Sequence, residues 1–138
     1  MDGKATLKLR GPSKDNVQNL YFYNYDVIYC EYSFDKGITA QGQVCTDVLA
    51  GNIRVTLPML PGDELMAWVL DAGKKYNGEI TINDAYEESL ERIYFEEGRC
   101  VGFRMHYEPA KGGRDVILSL TINAQRMIIG EVEYKNRY

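Results

Sequence analysis

The sequence predicts a mainly β chain, a small antiparallel β-barrel or sandwich of about seven strands with one short flanking α-helix. Three observations carry that prediction. Apolar and polar residues alternate in run after run, the period of strands with one buried face. One stretch, residues 63–73, has helical spacing instead. That helix is inserted once between strands, so the regular strand–helix alternation of a parallel α/β sheet is missing.

The first strand spans residues 5–10, with Ala5, Leu7 and Leu9 on one face and Thr6 and Lys8 on the other. Gly11, Pro12 and Ser13 break it, and residues 14–19 are polar and loop-like. An aromatic run, LYFYNYDVIYCEYSF, fills residues 20–34. Its second half sets Ile28, Cys30, Tyr32 and Phe34 against Val27, Tyr29, Glu31 and Ser33, and bulk on both faces predicts protein cover on each side. Residues 35–50, with Gly37, Gly42 and several small polar residues, lack a regular period and predict a long loop, a kind usually functional or disordered.

Ile53, Val55 and Leu57 then alternate with Arg54 and Thr56 until Pro58 ends the ladder. After a Pro61-Gly62 turn, Asp63 and Glu64 suit the positive end of a helix. Leu65, Met66, Val69 and Leu70 recur at helical spacing, with Trp68 among them; Gly73 supplies a stop, and Lys74 and Lys75 suit the negative end. A helix of about ten residues is marginal alone in water, so it must dock on a sheet.

Ile80 and Ile82 resume the strand period, residues 83–89 form a polar connection, and Ile93 and Phe95 oppose Arg92 and Tyr94. Glu97-Gly98 predicts a hairpin turn. Val101, Phe103, Met105 and Tyr107 then make an apolar face against Cys100, Gly102, Arg104 and His106, before a Gly-rich turn over residues 109–114. Residues 115–126 form the longest strand, with Val116, Leu118, Leu120, Ile122 and Ala124 on one face. The other face, Ile117, Ser119, Thr121, Asn123 and Gln125, is polar yet almost uncharged, whereas a face turned to bulk water usually carries Lys and Glu. That row suits a lumen or a subunit contact as well as solvent. The ending, MIIGEVEYKNRY, is a last strand broken near Gly130.

At 138 residues the chain is expected to be a single domain over residues 1–138, with 45% hydrophobic and 26% charged residues, ordinary globular values. A net charge of −4 argues against a general nucleic-acid binder. Neither MDGKATLKLR nor any later stretch has the apolar run of a signal peptide or a membrane span. The expectation is a chain that folds in the cytoplasm, without membrane insertion, and that leaves the cell only by a route other than general secretion.

Chemistry is sparse. Cys30, Cys45 and Cys100 are odd in number and lack Cys-x-x-Cys spacing, so neither a disulfide framework nor a zinc site is expected. His106 is the one histidine, and a lone strand histidine is more often a surface or interface residue than a general base. Glu87, Glu88, Glu91, Glu96 and Glu97 offer carboxylate pairs of glycosidase type, but a solvated hairpin explains them better. Lys111-Gly112-Gly113-Arg114 lacks the context of a phosphate loop. The aromatic run could stack single-stranded nucleic acid, yet it brings Asp26 and Glu31 in place of a basic groove. No catalytic, cofactor-binding or metal site is expected, and the chain is not expected to be an enzyme.

Several pieces occur in a specific order: ATLKL, VIYCEYSF before a Gly-containing stretch, GNIRVTL, DELMAWVL, KKYNGEITI, and VILSLTINAQRMIIG near the end. From Ala5 onward the chain resembles the tube protein of type VI secretion systems, the Hcp or TssD family, in its Bacteroidetes form. Residues 11–24 are longer and more aromatic than that family's pattern, and KNRY replaces a more acidic tail. The resemblance implies a structural subunit of a contractile, phage-tail-like machine, forming hexameric rings that stack into a hollow inner tube. Implied partners are copies of itself, the sheath and spike proteins, and effector proteins, with export through the apparatus. Residues 35–50, with Gly37, Gly42 and Asp47, are then expected to reach a neighbouring subunit or ring. Ser119, Thr121, Asn123 and Gln125 are expected at the lumen wall or a ring interface. A small ligand-binding β-barrel is the alternative, as is a divergent, non-polymerising cargo carrier of the same fold.

Overall fold

The computed structural model describes residues 4–11, 23–38, 44–86, 88–109 and 116–135. Nine strands and one helix follow in the order β1 (Lys4–Arg10), β2 (Tyr23–Val27), β3 (Tyr29–Ile38), β4 (Val44–Leu57), α1 (Asp63–Leu70), β5 (Tyr76–Asn83), β6 (Ser89–Tyr107), β7 (Val116–Asn123), β8 (Arg126–Ile129) and β9 (Val132–Lys135). All pairings are antiparallel, and the main path runs β2-β1-β5-β6-β7-β4-β3, with β8 added beside β6 and β9 beside β8. The two ends of that path, β2 and β3, are consecutive in sequence. They meet at Ile28, whose N–H donates to the Thr56 carbonyl at 2.9 Å. The sheet therefore curls almost onto itself without a ladder joining its two ends, a barrel-like sandwich.

The alternation read from the sequence is what fills the interior. Leu7 and Leu9 of β1, Ile53, Val55 and Leu57 of β4, Ile80 of β5, Ile93 and Phe95 of β6, and Leu118, Leu120 and Ile122 of β7 are all fully buried. Each contributes roughly 1.5–3 kcal/mol by leaving water. The helix closes one end of this core. Leu65 and Trp68 are its buried residues, and Trp68 Nε1 donates to the Gly98 carbonyl at 3.0 Å. Trp68 also meets the edge of the Tyr76 ring at 5.1 Å between centroids. A side chain at Gly98 would bring its Cβ to 2.9 Å from Ile122 Cγ2 and from the Phe95 ring, so this close docking needs glycine there.

Five sequence expectations change in the structure. The strand count rises from about seven to nine because the aromatic run bends at Ile28 and the ending folds into the β8–β9 pair. The helix stops at Leu70, where the Asp71 carboxylate accepts the Gly73 N–H at 2.9 Å; its last turn holds no lysine, and Leu70 is 76% exposed. Lys74 instead lies over the Tyr76 ring.

Glu97-Gly98 is a bulge within one continuous 19-residue strand, not a hairpin turn. Glu97 takes a left-handed φ of 51°, and its N–H is held by Asn77 Oδ1 at 2.8 Å. A second bulge follows: Cys100 pairs with Ile122 and Gly102 with Thr121, so Val101 is the extra residue. Cys100 consequently packs against the core and Val101 is exposed. Residues 35–50 are the fifth change, and they bear on function.

Candidate assembly surfaces

A period-two hydrophobic pattern marks a strand only where one face is buried, and residues 35–50 lack it. The backbone is nevertheless extended: β3 runs to Ile38 and β4 starts at Val44, with the register Asp35↔Ala50, Lys36↔Val48 and Ile38↔Val44. β7 accompanies β4 only from Asn52 to Leu57, so from Val44 to Gly51 β4 has β3 as its sole ladder partner among the described residues. These eight residues make a two-stranded arm about 25 Å long at the usual strand rise. Gly37 and Asp47 lie where its register shifts; Gly42 is outside the described residues.

The arm has an anchored root. Asn123 Nδ2 donates to the Gly51 carbonyl at 3.2 Å and to Asn52 Oδ1 at 3.1 Å, at the point where β4 parts from β7.

A second surface lies at the far end of β6. Phe103, Met105 and Tyr107 pair with Leu120, Leu118 and Val116, so they share the core-facing side of the sheet. Leu118 and Leu120 are fully buried, yet Met105 is 45% and Tyr107 59% exposed. The β6–β7 ribbon thus continues past the core with its apolar underside half exposed.

The third surface is the outer face of the β3-β4-β7-β6 sheet. Ser119, Thr121 and Asn123 form its central row on β7, half-buried between the neighbouring strands. Across β4 they face Thr56, Arg54 and Asn52, and across β6 Arg104, Gly102 and Arg99. Gln125 is not on this row: it follows the end of β7 and donates its N–H to the Glu96 carbonyl at 3.1 Å. The row is uncharged, but its flanks carry arginines, which only the register reveals.

The residues with chemical potential are dispersed. Tyr32 Oη donates to Glu91 at 2.8 Å, and Glu96 is held by Arg126 at 2.7 Å and by Tyr94 Oη at 3.1 Å. Arg126 also bonds Glu133, while Arg10 donates to Tyr94 Oη at 2.8 Å, so this chain of bonds ties β1, β6, β8 and β9 together. Glu87 and residues 111–114 are outside the described residues. His106 lies 3.3 Å from Glu108 on the exposed surface. Tyr25 Oη donates to Glu64 at 2.7 Å, and burial, then this carboxylate, pushes its pKa well above the usual phenol range.

Burial lifts Cys30 to about 11 and raises Cys100, whose Sγ donates to the Gly102 carbonyl at 3.2 Å. Neither is poised as a nucleophile. No group of three or more possible metal ligands occurs among the described residues, and none of their helices is long and apolar enough to cross a membrane.

Comparison with known proteins gives a consistent picture. The family model for hemolysin coregulated protein Hcp (TssD) matches residues 1–138. No curated protein sequence matches the chain. Among solved structures it is similar to Hcp1 from Flavobacterium johnsoniae, with TM-score 0.77 and 17% identity over 96% of this chain and 99% of that one. It is similar to the secreted protein Hcp3 from Pseudomonas aeruginosa, with TM-score 0.58 and 13% identity over 99% of both chains. A chain of the sheath–tube complex of PVC, an extracellular contractile injection system, gives TM-score 0.54 and 15% identity over 94% of this chain and 89% of that one. At such identities the likeness concerns the fold.

Proposed function

This chain belongs to the Hcp (TssD) family, and from that premise we propose that it is a structural subunit of the inner tube of a type VI secretion system. It acts by assembly and not by catalysis. Copies close into hexameric rings through heterologous contacts, one edge of each subunit meeting a different edge of the next, and the rings stack. Sheath and spike proteins enclose and cap the tube, and effectors travel with it. The apparatus itself carries the subunit out of the cytoplasm.

The observation that carries this reading is the two-stranded arm of β3 and β4. A lone pair of strands is marginal in water and needs a third strand or a packed surface to persist. A neighbouring copy supplies one. The half-exposed underside at Met105 and Tyr107 fits the same reading, because apolar surface on a core-facing side is stabilised by contact with another chain. Gly37, Gly42 and Asp47 then belong to the contact made by the arm. Ser119, Thr121 and Asn123 belong to the channel wall, while Gln125 sits at the turn into β8. A ligand-binding barrel is disfavoured by the packed interior, where Trp68, Phe95 and the aliphatic rows occupy the space a ligand would need.

Light scattering after size-exclusion chromatography, with negative-stain microscopy of the same fractions, tests the proposal. Rings with an open centre are expected. A monodisperse monomer at all accessible concentrations overturns it.

A further inference from the structure

The outer face of the β3-β4-β7-β6 sheet is charged in a way its central row conceals. The chain as a whole carries −4. Yet the paired rows of this face bring Arg54, Arg99 and Arg104 together, with Glu31 opposite Arg54. Two of these arginines converge. Arg54 on β4 pairs with Thr121, and Arg104 on β6 pairs with Ser119, so they flank β7 diagonally. Strand spacing and rise put their Cα atoms about 12 Å apart, within reach of a shared anion for two long side chains.

Between them lies a recess of about 310 Å³, lined by Arg54, Gly102, Phe103, Arg104, Ser119 and Thr121. Gly102 keeps it open: a Cβ there would sit 3.2 Å from Thr121 Cβ and Oγ1. The two hydroxyls on the floor are further hydrogen-bond donors. Arg54 is only partly committed, with one nitrogen 3.4 Å from Glu31 and a side chain 60% exposed. Arg104 makes no ion pair among the described residues.

We propose that this recess is an oxyanion site that receives side-chain carboxylates of an acidic protein surface, making Arg54 and Arg104 the residues that select cargo by charge. This rests on the reading of the face as the wall that meets effectors. Guanidinium forks match carboxylates in geometry and form charge-assisted hydrogen bonds. The recess opens on the face, and Arg99 stands farther along the same face beside Asn123, which suits an extended surface more than an enclosed small anion. Nucleic acid is the weaker fit, since the recess is lined by no row of aromatic rings on which bases could stack.

Fluorescence anisotropy with labelled hexaglutamate, hexalysine and oligouridylate tests the site on the full chain. Hexaglutamate binds, hexalysine does not, and added salt weakens the complex. R54Q and R104Q each weaken it about tenfold, the loss of one charge-assisted bond. G102L, which fills the recess, does the same without changing charge. Circular dichroism confirms that each variant is folded, and inorganic phosphate serves as competitor.

Unchanged hexaglutamate affinity in the double variant R54Q/R104Q overturns the proposal. So does preferential binding of oligouridylate, or phosphate displacing the peptide at concentrations matched in carboxylate. The same samples are sized by light scattering. Rings without peptide binding overturn the recess and leave the tube reading standing. Peptide binding by a permanent monomer supports the recess and overturns the tube reading.

Discussion

Replacing Met105 and Tyr107 together by alanine should separate assembly from folding. In the single subunit these side chains are 45% and 59% exposed on the core-facing side of β6. Burying a whole side chain of this kind stabilises by roughly 1.5–3 kcal/mol, so covering the exposed half of each against a neighbour contributes about 1 kcal/mol. The pair is then worth about 2 kcal/mol at each subunit contact, close to a 30-fold change in that contact's dissociation constant. A dilution series followed by mass photometry gives the concentration at which rings give way to monomers, and it should rise by at least that factor. Urea unfolding of the monomer should shift far less than the ring contact. Equal losses in both measurements, or an unchanged ring midpoint, would mean that the underside is not covered by a neighbouring copy.

Other expectations follow from single contacts. Trp68→Ala should destabilise the subunit by about 3–5 kcal/mol, and Trp68→Phe by less, since it removes mainly the bond to the Gly98 carbonyl; the urea midpoint moves and the slope does not. Asn123→Leu removes both bonds at the root of the arm, about 1 kcal/mol each, so amide exchange in residues 44–51 should accelerate while β7 stays protected. Asn123→Lys and Gly42→Arg should impair ring or tube assembly while leaving the monomer folded, as native gel mobility and circular dichroism report together.

Two expectations concern protons. The folded state holds the Tyr25 proton more tightly than the unfolded state does, so this contribution to stability is complete below a pH of about 10 and declines above it. Tyr25→Phe should flatten that decline in alkaline urea titrations, and an unchanged slope would point to another group. Cys30, raised to about 11 from 9.0, should alkylate about a hundredfold more slowly than a free thiol at pH 8, because the thiolate fraction falls tenfold per unit; peptide mass spectrometry measures the rate.

Much of the architecture was legible because burial imposes a period of two. β7 is the clearest case: of the residues read as its apolar face, Leu118, Leu120, Ile122 and Ala124 are buried and Val116, at its start, is half-buried. The signal is silent elsewhere. Residues 35–50 looked like a loop because they carry no period-two alternation, whereas the pairing of β3 with β4 is made by backbone groups that leave no such mark in the sequence. Glu97-Gly98 carries the chemistry of a turn, and a bulge uses the same left-handed backbone, so local sequence does not distinguish them. The extra residue at Val101 then reversed the facing of Cys100.

Of the expected assembly residues, Ser119, Thr121 and Asn123 share one face, as their spacing required. Gln125 obeys the same arithmetic but falls after β7 has ended. Arg54 and Arg104 come from strands far apart in sequence, and only the pairing of β4 and β6 with β7 brings them to one recess. Met105 and Tyr107 were read as one apolar face; that they stay half exposed depends on where the core ends, a property of the tertiary structure.

The length of β6 has a mechanical consequence. Its 19 residues cross both halves of the molecule, held by β5 and β8 along one half and by β7 along the other. An axial pull on this strand stretches many backbone bonds at once, a shear geometry that resists rupture. In the β3–β4 arm, where β3 is the sole ladder partner of β4 among the described residues, the two strands peel apart one bond at a time. A subunit pulled on its own should therefore yield first where β3 and β4 pair only with each other and last along β6.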